Sequence, residues 1–341
     1  MAAKTLDYTM IALFFSLVWA TPPLPLSIPT EDGAQIYAEH FANSGPPVIL
    51  AHGISSNHNF WNLNPEHSLA LYLYNEGFDV YNMDFRGHGH ATHDPTGKKQ
   101  EQGWTIDSYG VDIHAIVQHV QQTKPQYKPI YIGHSLGGLA LISYMAQYNS
   151  TSLQGIVVFA SPFDFRHPEP LLEIARFGAS ISIIPIPTPF LAHIASWFPH
   201  TPAYIDSLLW GKETISPQTR VELYQKIVSP MTPKELKHLS KTLSQDAFGP
   251  ANKHETYAKN LSTHDIPALF FAGRADRIAP VDRVLGYYNA LGSSDKEFRI
   301  LGKEYGYTID YGHLDYPLAK VAPNEVFPVV SSWLRQKTSS D

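Results

Sequence analysis

Ser135 lies in YIGHSLGG, residues 131–138, a small hydroxyl set between Gly133 and Gly137. The apolar run before it, Pro129 to Ile132, is rich in branched and aromatic residues and predicts a buried strand. The run after it, Leu139 to Asn149, predicts a helix. A chain that passes from strand to helix within a few residues crowds its own backbone at the tip, and the two glycines leave room there. The hydroxyl is then presented at the carboxyl end of a strand, beside the free N–H groups of a helix N-terminus, where negative charge is favoured. That is a position for a nucleophile. GxSxG alone also describes a glycine-rich turn with a capping serine; the strand before and the helix after select the chemical reading.

A serine hydroxyl is a weak nucleophile and needs a base, and the base needs a group to orient it. Of seventeen histidines, His313 in DYGHLDY (310–316) follows the last apolar strand, Glu297 to Leu301, and precedes the terminal helical run NEVFPVVSSWLRQ. Asp276 in IPALFFAGRADRIAP (266–280) comes directly after a proline-bounded apolar strand. Asp164 in VVFASPFDF is the rival carboxylate, and Asp315 is placed to hold the histidine loop. For an oxyanion, PPVILAHGISSN (46–57) supplies a strand ending in His52-Gly53, so the expected donors are the backbone N–H groups of Ile54 and of Leu136, the residue after the serine. His52 itself is expected to bond its own loop.

The cluster His88, His90, His93 and Asp94 in RGHGHATHD invites a metal reading, but the spacing matches no helical ligand pair, so local hydrogen bonding is expected and no metal. Cysteine is absent, which excludes disulfides, thiolate nucleophiles and a lipoprotein signal. A net charge of −6 with no basic patch argues against nucleic acid as a partner. With 341 residues, 43% of them hydrophobic and 16% charged, the chain can bury a large core.

Taken in order, AHGISSN, NMDFRGHGHA, GWTIDSYGVDIHAIVQHV, GHSLGG, IPALFFAGRADRIAP and GHLDY resemble the α/β-hydrolase superfamily from about Ile28 to the C-terminus. GHLDY is similar to the histidine segment of its acid-lipase-like members. The single glycine after His52 is similar to the lipase and esterase branch, whose second oxyanion donor is one backbone amide. The resemblance implies a serine hydrolase that needs no cofactor and acts on a small-molecule or lipid ester, with Ser135, Asp276 and His313 as nucleophile, acid and base. An acyltransferase, a thioesterase, or an idle member that binds a lipid or partner beneath its cap stays open. Polymer synthases of similar fold want a cysteine nucleophile, and epoxide or haloalkane chemistry wants a carboxylate at position 135.

The elements that must position these residues alternate between strands and helices, which gives a mostly parallel, doubly wound sheet with active residues at the carboxyl ends of its strands. PTEDGAQIYAEHF predicts an opening hairpin. Asn64-Pro65 is expected to begin a helix that Gly77 ends, and Thr105 to open a long helix whose apolar face includes Ile106, Tyr109, Ile113, Ile116, Val117 and Val120. Between residues 165 and 264 the alternation stops. Helix starts at Ser216-Pro217 and at Thr232-Pro233, the latter with Glu235 completing a capping box, predict a helical cap inserted after the sixth strand. Its large apolar residues would make a water-poor pocket suited to a hydrophobic ester. The core is then 28–164 with 265–341. Residues 1–20 carry an apolar run too short for a membrane span of roughly 20 residues. They are expected to be an export signal, making the protein periplasmic or secreted, with contact to a membrane surface through this segment or the cap as the alternative.

Overall fold

Alternating apolar strands and amphipathic helices close into one sheet in a computed structural model that describes residues 23–93, 103–163, 188–196, 203–244, 247–253 and 256–339. Among these, the sheet strands are β1 (Leu24–Pro29), β2 (Gln35–Phe41), β3 (Pro47–Ala51), β4 (Asp79–Asp84), β5 (Ile130–His134), β6 (Gly155–Phe159), β7 (Ala268–Gly273) and β8 (Lys296–Leu301). Their order is β1-β2-β4-β3-β5-β6-β7-β8. The two pairings that involve β2 are antiparallel, and all the others are parallel. Strands β3 to β7 are buried along their whole length, as a parallel sheet covered by helices on both faces must be. β3, β6 and β7 are accordingly continuous apolar runs, while β4 buries Asp79, Asn82 and Asp84 and β5 ends in His134.

The core helices before the cap are α1 (Leu69–Asn75), α2 (Ile106–Thr123) and α3 (Leu136–Tyr148). Between the sixth strand, β6, and β7 come α4 (Thr188–Ser196), α5 (Ala203–Leu209), α6 (Pro217–Lys226), α7 (Pro233–Leu243) and the short α8 (Ala258–Leu261). After β7 follow α9 (Val281–Ala290), α10 (Asp315–Leu318), α11 (Ala322–Glu325) and α12 (Phe327–Thr338). Helix α2 packs on α3 and buries all six of the apolar positions expected to face inward. The cap helices start where their sequences say. Ser216 Oγ accepts the Thr219 N–H at 2.9 Å, while Thr232 and Glu235 exchange side-chain and backbone bonds of 3.3 and 3.0 Å.

Two starts differ from expectation. Asn64 does not open a helix: Asn62–Asn64 pairs with His67–Ser68 as a small ribbon, and Asn64 Oδ1 accepts the N–H groups of Glu66 and His67 at 3.1 and 3.0 Å. An asparagine side chain that folds back on its own backbone makes a turn rather than a cap. The cap is Ser68, whose Oγ accepts the Leu71 N–H at 2.9 Å. The terminal run is also broken, into α11 and α12, with Pro328 in the first turn of α12, where its missing N–H is tolerated. The apolar segment 1–20, Asp94, Asp164 and the first part of the expected cap lie outside the described residues. Among those described, no helix is long and apolar enough to cross a membrane.

Arg86, just after β4, ties the opening hairpin and α2 to the sheet. Its Nε donates to Asp112 Oδ1 at 2.7 Å, its backbone N–H to Asp112 Oδ2 at 3.0 Å, and its guanidinium to both Asp32 oxygens at 2.5 and 2.9 Å. Asp112 is fully buried, whereas the Asp32 side chain is 42% exposed. Asp112→Ala leaves the Nε and backbone N–H of Arg86 without their acceptor and only the part-exposed Asp32 to balance the guanidinium. It is expected to lower unfolding stability by about 3 kcal/mol. Asp32→Ala, at the wet end, should cost clearly less; urea unfolding of the two variants reads the difference.

Candidate active site

The turn between β5 and α3 is strained as its sequence requires. Ser135 has φ +50°, a conformation that L-residues rarely adopt, and its N–H bonds the Phe159 carbonyl at 2.8 Å. Helix α3 begins at the next residue. A Cβ on Gly137 would lie 2.8 and 2.9 Å from the carbonyl oxygens of His52 and Ala51, and one on Gly133 would lie 2.8 Å from the Gly137 carbonyl carbon. Each neighbour is backbone, so neither position has room for a side chain.

His313, 178 residues further on, is brought to this turn: its Nε2 lies 3.0 Å from Ser135 Oγ. Its Nδ1 lies 2.9 Å from Asp276 Oδ2. With Nδ1–H donating to the carboxylate, Nε2 is left free to accept the serine hydroxyl. Asp276 Oδ1 is held in turn by the N–H groups of Ile278 and Ala279, at 2.9 and 2.7 Å. All three side chains are buried. Ile54 and Leu136 line the same cavity as Ser135 and His313, and neither N–H has a backbone partner among the described residues. His52 bonds its own loop as expected, Nδ1 donating to the Gly53 carbonyl at 2.8 Å while Nε2 accepts the Phe85 N–H at 3.3 Å. Burial pushes its pKa down to about 3, so it stays neutral.

Two residues that support this site carried little signal in the sequence. His134 donates from Nε2 to the main-chain carbonyl of His313 at 2.8 Å, and burial together with the nearby His313 holds its pKa well below the usual histidine value. Its place next to the serine was the available clue, but a histidine ending a strand does not reveal its partner. Asp84, at the end of β4, is the second. It accepts the backbone N–H and Nδ1–H of His58 at 2.6 and 2.8 Å, which holds the loop after Gly53 from the core side. Asp315 does hold the histidine loop. Its Oδ2 accepts the N–H groups of Gly312 and of Gly211, in the cap, both at 2.7 Å, and its Oδ1 accepts the Thr214 hydroxyl at 2.7 Å.

Of the loop histidines His88 bonds locally, while His90 packs on residues distant in sequence. His88 Nδ1 lies 3.2 Å from the Arg86 carbonyl, and the His90 ring packs edge-on against Tyr37 and His58. Among the described residues no group of His, Cys, Asp and Glu could hold a metal ion.

Above Ser135 opens a cavity of about 400 Å³. Its walls are Leu139 and Phe60 from the core and Leu209, Leu223, Ile227, Val228, Leu239 and Leu243 from the cap. No Asp, Glu, Lys or Arg is among the described residues that line it.

A family model described as serine aminopeptidase, S33, matches residues 46–305. The chain belongs to that family. It is 24% identical to triacylglycerol lipase 1 of Arabidopsis thaliana, over 92% of this chain and 87% of that protein. Among solved structures it superposes on a thermophilic esterase from Thermogutta terrifontis with a TM-score of 0.65, at 19% identity, covering 93% of this chain and all (100%) of the other. A soluble variant of the Saccharomyces cerevisiae monoglyceride lipase, in complex with a substrate analog, superposes with a TM-score of 0.64 at 16% identity, covering 95% of this chain and 98% of the other. Likeness at such identities establishes the fold, and the protein is a lipase/esterase-like α/β-hydrolase.

In this hydrolase the Asp315 carboxyl is a measurable handle on the histidine loop. Burial pushes its pKa up to about 6, against the bonds from Gly211, Gly312 and Thr214 that favour its charged form. A carboxyl whose folded pKa lies above its unfolded value of about 3.9 binds more protons when folded. Its contribution to stability is therefore fully present below that value and is lost as pH rises to about 6. Asp315→Asn can keep the same three partners without titrating. Relative to the variant, the wild-type urea midpoint is expected to fall between pH 4 and pH 6 and to run parallel above.

Proposed function

We propose that this carboxylic ester hydrolase works through an acyl-enzyme on Ser135 and prefers hydrophobic acyl groups. The observation that carries the reading is His313 standing between Ser135 Oγ and Asp276, at 3.0 and 2.9 Å, on the floor of an uncharged cavity.

His313 Nε2 takes the hydroxyl proton as Ser135 Oγ attacks the ester carbonyl, while Asp276 keeps the ring in the right tautomer and stabilises the imidazolium. The carbonyl oxygen, now negative, receives the N–H groups of Ile54 and Leu136; losing one such donor generally costs about 3 kcal/mol. His313 then gives its proton to the leaving alcohol. Water, deprotonated by the same ring, attacks the acyl-enzyme and releases the acid.

The cavity wall supports an apolar substrate over a peptide with a free N-terminus, despite the family's description. Among the described residues, an α-ammonium group in this pocket would meet no carboxylate other than Asp276, which is already bonded to His313, and burying it unpaired is strongly unfavourable. An acyl chain, in contrast, gains about 0.8 kcal/mol per methylene removed from water.

A series of p-nitrophenyl esters from acetate to decanoate tests the proposal. We expect kcat/KM to rise along the series until the chain fills the cavity. Ser135→Ala should reduce hydrolysis of every ester by at least about 10³-fold. Undiminished hydrolysis in that variant would remove Ser135 from the chemistry, and a steady preference for acetate would remove the hydrophobic acyl group.

A further inference from the structure

Ser55 follows the Ile54 amide assigned above to the oxyanion, and it is a non-glycine residue at φ +50°. Such a conformation persists in a serine only where surrounding contacts over-determine it. Here those contacts come from the cap. Ser55 Oγ lies 2.6 Å from the Ser229 carbonyl oxygen, and the Ser229 N–H donates back to the Ser55 carbonyl at 2.9 Å. Thr188, the first residue of α4, places its hydroxyl 2.6 Å from the same Ser229 carbonyl and 3.1 Å from Ser55 Oγ. Asn57 repeats the tie two residues on, with Nδ2 2.9 Å from the Lys226 carbonyl and 3.3 Å from Ser229 Oγ. The loop that bears the Ile54 N–H is thus anchored to the core at His58 and clasped by the cap at Ser55.

We propose that Ser55 is a positioning residue: through it the cap holds the Ile54 amide where an oxyanion develops. The inference rests on the function proposed above. Without the clasp, residue 55 relaxes toward negative φ, the peptide that links it to Ile54 turns with it, and the adjoining Gly53–Ile54 peptide, which carries the Ile54 N–H, shifts in response. The cost then falls on the charged intermediate rather than on the neutral ester, because the amide has its main task after the carbonyl oxygen becomes negative.

Two substitutions at the same position separate this role from simple packing. Ser55→Ala removes the hydroxyl but keeps a side chain that disfavours positive φ. Ser55→Gly removes the hydroxyl and the disfavour together. With p-nitrophenyl butyrate we expect Ser55→Ala to lower kcat by about 10–100-fold with KM within about twofold. Ser55→Gly should recover at least about fivefold of that loss. Affinity for an alkyl boronic acid, which becomes a tetrahedral anion on bonding Ser135 Oγ, should fall and recover in step with kcat. If Ser55→Ala does not fold, Ser55→Gly and Thr188→Val carry the same test against the wild type: kcat and boronic acid affinity should fall together in each, with KM unmoved.

Wild-type kcat and boronic acid affinity in Ser55→Ala would overturn the proposal. So would a glycine variant no better than the alanine one, or a loss confined to KM. Ser135-dependent hydrolysis in the wild type keeps the function standing in any of those cases; its absence takes down both.

Discussion

The bond between the Ser135 hydroxyl and His313 Nε2 joins points 178 residues apart, and much of the molecule serves to keep it near 3.0 Å. On the serine side the constraint is steric. A positive φ at a non-glycine residue is held because the chain has β3 on one side of β5 and β6 on the other, and the Ser135 N–H is bonded to β6 itself. On the histidine side the constraint is a set of hydrogen bonds to a loop that has no regular structure of its own. The ring is fixed through Asp276, the main chain through His134, and the stretch from Gly312 to Leu314 through Asp315 and the Leu209 carbonyl. A loop residue becomes a dependable base only when this many of its neighbours are tied down.

Keeping those ties in a buried place imposes an electrostatic condition. His52 and His134 flank the serine, and both are buried with their pKa values pushed down, so that neither carries charge into a pocket without counter-ions. Some buried charge is paired, as at Arg86 with Asp112 and Asp32 or at His58 with Asp84, whereas the Asp315 carboxyl is held by amide and hydroxyl donors. Desolvation alone would lower the His58 pKa, but the adjacent Asp84 carboxylate raises it. Among the described residues the cavity above the serine is lined without carboxylate, ammonium or guanidinium groups. In the proposed mechanism the charge that arises in it is the one the reaction makes, met by fixed donors in a medium where they act strongly.

What could be read in the sequence was what is decided locally. The strand, the paired glycines and the helix around Ser135 lie within twenty residues, and the capping box at Thr232 and Glu235 within four, so their patterns are printed together in the chain. Asp276 was reachable because it closely follows an apolar strand, and His313 because it lies on the loop between the last strand and the terminal helical run; the carboxyl ends of such strands share one edge of the sheet. The partners of His134 and Asp84, and the cap partners Gly211 and Thr214 of Asp315, were not reachable. Each is a main-chain group or side chain brought near by tertiary packing, and a carbonyl or an amide has no residue type to recognise. Asn64 shows the limit even for local signals: the same side chain can cap a helix or close a turn, and here the ribbon with His67–Ser68 settles the competition.

The cap meets the core at places that matter to the chemistry. Ser229 and Thr188 reach the loop that carries the Ile54 amide, while Gly211, Thr214 and Leu209 reach the loop that carries His313. His238 of α7 reaches a third element, its Nδ1 accepting the Ile106 N–H at the start of α2, 3.2 Å away, with Nε2 donating to the Gly249 carbonyl at 2.9 Å. A substrate that fills the cavity touches cap helices and core at once, because Leu223 and Leu239 face it from above and Leu136 and Leu139 from below. Under the proposed function, burial of an acyl chain there strengthens the contacts between cap and core by which both loops are held. Binding energy far from the reacting carbonyl is in this way converted into order around it, which is where such energy raises the rate and not merely the affinity. An ester too short to span from core to cap can reach the same serine, but it contributes nothing to the closure that keeps base and amides in register.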